Sequence, residues 1–157
     1  MDKKILIKSA GELRSVSKAA ANEYILKSDT LIAEINNRMS NRPDLLPLIG
    51  ESNIPMMKDN HGNHVRFIGS ILKNRNDEVL VETILWVFRA YRNHGFSQGY
   101  WAAQLSTWID ILRKALTEDS FEEIYPYYEW MQVNIPLFSL VSSKMDSSGI
   151  ATQHHGK

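Results

Sequence analysis

Cysteine is absent from the 157 residues, which excludes a disulfide scaffold, thiolate metal sites, a cysteine nucleophile and any thioether-linked pigment. A charge excess of either sign is lacking too, since 18 Lys+Arg balance 18 Asp+Glu. A dedicated nucleic-acid binder normally carries a basic surplus to meet phosphate, so no nucleic-acid partner is expected. No apolar run reaches the ~18 residues that read as a membrane span. The opening stretch MDKKILIKSAGELRS has no cleavage-site pattern behind an apolar core, so a cytoplasmic address without a signal peptide is expected. Catalytic signatures are missing as well: there is no G-x-S-x-G elbow, no H-E-x-x-H and no Glu-x-x-His pair. Gly95 and Gly99 lack the third glycine and the preceding strand of a phosphate-cradling loop. With no residue set for chemistry to stand on, the expected role is non-enzymatic.

What is present is a core. Hydrophobic residues make up 43% of the chain, including four Trp, six Tyr and five Phe, enough for one domain at this length. From Ala10 to Met39, Leu13, Val16, Ala20, Tyr24, Leu31 and Ile35 recur at helical spacing, with an interruption at Ser28-Asp29. Residues 1–10 read as a short strand or an unstructured lead-in, because KILIK alternates. A short turn or helix holds Leu45 to Ile49 and closes at Gly50, and a longer helix runs from about Ser52 to Lys73. Asp77 to His94 is apolar nearly all round, the mark of a central, buried helix stopped by Gly95. Ser97 opens the next helix, which carries Trp101, Leu105, Trp108 and Leu112 on one face. Ser120 and Glu123 fit a capping box for a last helix over 121–143, kinked or broken at Pro126 and Pro136. The expectation is an all-α domain of about six helices over residues 10–143, with a Ser/Gly/His-rich tail from 144 to 157 that is flexible.

Few side chains suggest chemistry. His61 and His64, three apart with Asp59 nearby, share a helix face, but a zinc site needs three or four converging ligands, so no metal is expected. His154 and His155 sit in the tail. Glu118, Asp119, Glu122 and Glu123 gather where negative charge suits a helix start, and His94 stands where a cation suits a helix end. More telling are Trp86, Phe88, Tyr91, Phe96, Tyr100, Trp101 and Trp108, which crowd two helices joined by a tight corner. They make either a well-filled core or an apolar pocket with a few polar tips, with Met56, Met57 and Met131 as adaptable lining.

The corner itself, Tyr91-Arg92-Asn93-His94-Gly95-Phe96-Ser97-Gln98-Gly99-Tyr100-Trp101, resembles the helix junction of globin-coupled sensors, with Tyr91 standing where their haem-ligating histidine stands. Gly95-Phe96-Ser97 ahead of Tyr100 and Trp108 is similar to the haem-free globin-like domains at the N-terminus of stressosome sensor proteins. The chain is also similar to small stand-alone bacterial helical proteins described as lipid-binding. The resemblance implies a globin-like bundle that holds an apolar small molecule such as a fatty acid, without haem. His64, Arg66, Phe67, Trp86, Phe88, Tyr91, Trp101, Leu105 and Met131 are the candidate ligand-binding residues, with Tyr91, His64 and Arg66 the donors for a carboxylate head group. It also implies a homodimer through the last two helices, offering Tyr127, Trp130 and Leu137, and a signal passed to a separate output protein. Two alternatives stand beside it: a haem-binding sensor with Tyr91, His94 or His64 as axial ligand, and an interaction module with no small ligand.

Overall fold

The helix that the sequence marks as apolar nearly all round keeps an exposed face, with Val79 and Trp86 open to solvent. In the computed structural model it is α6 (Asp77–Arg92), started by Asn76, whose side chain accepts from Val79 N. Before it come α1 (Asp2–Ala10), α2 (Lys18–Leu26), α3 (Ser28–Ser40), α4 (Leu45–Ile49) and α5 (Ile54–Lys73). After it come α7 (Gln98–Ala115), α8 (Glu118–Val133) and α9 (Ile135–Gly156). The structure describes the backbone of residues 2–156 and the side chains of residues 2–145. Over these the chain is all-α, with nine helices and no strand among the described residues. The side chains of the tail expected over 144–157, His154 and His155 included, fall for the most part outside that range, while the backbone of α9 continues to Gly156. No described helix is long and apolar enough to cross a membrane.

The packing pairs α6 with α9 and α1, α7 with α8 and α3, and α5 with α2 and α3. Several sequence expectations change here. Residues 2–10 are a helix rather than a strand: Leu6 and Ala10, four apart, are buried against the core, so period 3.6 overrides the apparent alternation of KILIK. The domain therefore begins ahead of residue 10. The expected last helix is two helices, parted at Asn134 just before Pro136, whereas α8 runs through Pro126. Its N-cap is Thr117, three residues ahead of the Ser120 that the capping-box pattern suggests. The helix expected to be central and buried is an outer one: α6 packs on α9 and α1 and leaves Val79 43% and Trp86 59% exposed. Tyr127 and Trp130, offered as exposed dimer residues, are 2% and 8% exposed within the chain itself. Tyr127 donates to Arg14 O at 2.7 Å and Trp130 Nε1 to Ser9 Oγ at 2.9 Å, so the end of α1 and the segment after it cover them.

The α6–α7 corner needs glycine. Gly95 has φ +96 and Gly50, in the turn beside it, φ +83, a region side chains with Cβ rarely adopt. Asn53 Nδ2 ties the two turns together by donating to Ile49 O at 2.7 Å and His94 O at 2.8 Å.

A second tie joins α2 and α8 at both ends. Glu23 of α2 accepts from Thr117 N (2.7 Å), Thr117 Oγ1 (2.8 Å) and Ser120 Oγ (2.7 Å) at the start of α8. In return Glu123 of α8 accepts from N and Oγ of Ser17, the N-cap of α2, at 2.7 and 3.0 Å. Each helix thus caps the other, satisfying donors that a helix start leaves open. Partial burial raises the Glu23 carboxyl, but Lys27, Ser120 and Thr117 outweigh it and bring it down to about 2. Glu23→Gln is expected to lower stability by about 1–2 kcal/mol at pH 7, since charge-assisted bonds become neutral ones. A urea midpoint unchanged from wild type would contradict it.

Candidate functional site

α5, α6 and α7 do not close on one another completely. Between them, with α8 and α9 adding one side chain each, lies a cavity of about 260 Å³. α5 contributes Asn60, Asn63, His64, Phe67 and Ile68, and α6 contributes Thr83, Ile84, Trp86, Val87, Phe88 and Tyr91. Trp101, Gln104 and Leu105 come from α7, Met131 from α8 and Phe138 from α9. The volume exceeds the ~150 Å³ engineered cavity that takes up benzene and falls just short of the ~300 Å³ where drug-sized pockets begin. Trp86, exposed on its outer side, forms part of the rim.

Eight of the nine expected residues meet around this space: His64, Phe67, Trp86, Phe88, Tyr91, Trp101, Leu105 and Met131. Arg66 is not among them. One position along α5 from Phe67 it faces outward, donating to Asn63 Oδ1 at 2.9 Å with its guanidinium over Gly62. Met56 and Met57 do not line the cavity either, and Met57 is core. Asn60, Gln104, Ile84 and Phe138 are the main residues that the sequence reading missed. Asn60 is one turn before His64 and Gln104 three residues after Trp101, so helical spacing from a named residue could have found them.

The rings form one continuous stack around the cavity and corner. Phe88 lies parallel to Trp101 at 4.7 Å between centroids, Phe138 meets Phe88 edge-on at 5.4 Å, and Tyr91 meets Trp101 and Phe96 edge-on. The polar side is a pair of buried networks on α5. In one, Tyr100 OH and Gln104 Nε2 both donate to Asn60 Oδ1 (2.8 and 2.6 Å), while His61 Nδ1 meets Asn36 Oδ1 at 2.7 Å. In the other, His64 Nε2 meets Tyr128 OH at 2.8 Å, and Tyr128 OH meets Tyr24 OH at 2.7 Å. The His64 ring lies against Trp108, 5.1 Å between centroids.

Among the described residues, no lysine, arginine, aspartate or glutamate lines the cavity. Burial, reinforced by His61, pulls the His64 imidazole down to about 3, so it is neutral at pH 7. Burial and then Asp59 push the Tyr91 phenol up from its ordinary value, against a hydrogen bond from Asn60. The wall is therefore uncharged throughout, and a fatty-acid carboxylate would find no cation there. Haem does not suit it. A tetrapyrrole exceeds the cavity, its propionates would lack a cation, Tyr91 is held as the neutral phenol, and His64 Nε2 is engaged by Tyr128. His94, the other candidate ligand, bonds Ala90 O through Nδ1 and is not part of the lining. No group of three or more metal-ligating side chains converges among the described residues.

A wider depression of about 760 Å³ lies between the α1–α2 connection and α8, but it is lined by Glu12, Asp119, Glu122 and Glu123. Glu123 is already committed to Ser17 there, so this is the surface side of the α2–α8 tie. No family model, no curated protein and no solved structure matches the chain, so what the cavity does is read from its geometry.

Proposed function

We propose that the chain is a non-enzymatic binding module that holds one small, uncharged apolar molecule between α5, α6 and α7. The observation that supports this most directly is the 260 Å³ cavity with an aromatic and aliphatic wall. Close packing leaves few voids larger than a water molecule, and a core built only for stability would be expected to fill this one. The neutral wall favours an apolar guest, because an unpaired charge in such a place is expensive.

Naphthalene is the simplest probe. Covering on the order of 250 Å² of apolar surface at ~25 cal/mol per Å² gives roughly 6 kcal/mol, a Kd in the tens of micromolar. Titration calorimetry is expected to show one site of that strength, with the thermal midpoint rising as naphthalene is added. Leu105→Phe on α7 and Ile84→Phe on α6 each narrow the cavity and are expected to weaken binding at least tenfold. Absence of both heat and midpoint shift in the wild-type protein would overturn the proposal.

A further inference from the structure

The Tyr24–Tyr128–His64 chain fixes more than a position, because hydrogen bonding has a direction. Tyr24 is wholly buried and its hydroxyl has one partner, Tyr128 OH. Were His64 to donate through Nε2, Tyr128 would pass its own proton to Tyr24 and the Tyr24 hydroxyl hydrogen would be left unpaired inside the core. A buried donor left unmade is costly, whereas the opposite direction leaves none. Tyr24 therefore donates to Tyr128 and Tyr128 donates to His64 Nε2. The neutral imidazole must then carry its hydrogen on Nδ1. That nitrogen has no partner among the described residues, yet it is not one of their sealed, unpartnered atoms, which are Ser40 Oγ and Trp108 Nε1. His64 lines the cavity, and Nδ1 is its one ring nitrogen not engaged by Tyr128.

We infer that the cavity takes an uncharged aromatic molecule bearing one hydrogen-bond acceptor, which receives the Nδ1 hydrogen of His64. This rests on the binding role proposed above and narrows its ligand class. The apolar rings supply contact area, and the His64 N–H supplies orientation. An anion would exchange its hydration for neutral donors alone, so its affinity falls.

Quinoline and naphthalene test it, being nearly the same shape and differing by one acceptor nitrogen that is unprotonated at pH 7.5. Their absolute affinities also differ through hydration, so the ratio of the two Kd values is compared between wild type and variants. His64→Phe is expected to shift that ratio about tenfold against quinoline, the worth of one hydrogen bond. Tyr24→Phe is expected to leave it unchanged, because Tyr128 still has His64 as its acceptor. 1-Naphthoate is expected to bind at least tenfold more weakly than naphthalene. Nitrogen-15 NMR of the wild-type histidines is expected to show the His64 hydrogen on Nδ1, with that resonance moving on addition of quinoline, and this reading needs no variant to fold. An Nε2 hydrogen, an unchanged ratio in His64→Phe, or naphthoate binding as tightly as naphthalene would each overturn the inference. Failure of naphthalene itself to bind would instead remove the binding role on which it rests.

Discussion

Acidification from pH 7 to pH 5 is expected to lower the unfolding free energy by roughly 3–4 kcal/mol, a large part of the ~5–15 kcal/mol typical of a domain. Two imidazoles cause it. Burial pulls His61 from its ordinary 6.5 to about 3, and burial together with the neighbouring His61 does the same to His64. The unfolded chain takes up both protons as the pH falls through 6.5, but the folded chain refuses them until about 3. The stabilisation is thus complete above 6.5 and is lost as the pH drops toward 3, by up to about 1.4 kcal/mol per pH unit for each ring. Glu23 extends the loss in the same direction between 4.5 and about 2, where its carboxylate must be protonated. Urea titrations at pH 7, 6 and 5 read the slope directly, and His64→Phe should remove about half of it. A flat profile across that range would mean that the folded chain accepts these protons freely.

Phe138→Ala is expected to cost about 3–5 kcal/mol, the usual range for deleting a buried phenylalanine ring. Phe138 is 1% exposed and stands between Phe88 of α6 and Trp130 of α8, each 5.4 Å away between ring centroids. Its removal loosens α9 from α6 and enlarges the cavity on the side that Phe138 closes. The variant should therefore gain more thermal midpoint from naphthalene than wild type does, even as its own midpoint falls. A cost under about 1 kcal/mol would show that the neighbouring rings collapse into the gap and that this wall is not rigid.

Much of the scaffold is legible in the residues. The start of α7 at Ser97 and the stop at Gly95 are readable directly, whereas α6 is capped by Asn76 and not by the Asp77 that the sequence suggests. Eight cavity residues were reachable because apolar spacing assigns them to the inner faces of α5, α6, α7 and α8. What was hidden depends on partners distant in sequence. KILIK reads as alternation until α6 and α9 supply a surface for Leu6 and Ala10. Thr117 and Ser120 fit a helix start about equally well, and the choice falls to Thr117, where Glu23 accepts from its backbone N–H. Trp86 shares an apolar helix with Phe88, yet two residues round a helix is about 200°, so one faces the ring stack while the other reaches the rim. Arg66 was named as a head-group donor on its charge alone, and its position beside Phe67 on a tightly wound helix turns it outward.

The mutual capping of α2 and α8 bears on the order in which the molecule can assemble as it is synthesised. Ser17 and Glu23 emerge from the ribosome a hundred residues ahead of Glu123 and some ninety ahead of Thr117. Until translation has delivered that late segment, the second helix has only its own Ser17 hydroxyl to finish its start, and α8 has no carboxylate waiting for it. Closure thus waits until α8 has cleared the exit tunnel, long after the second helix has left it.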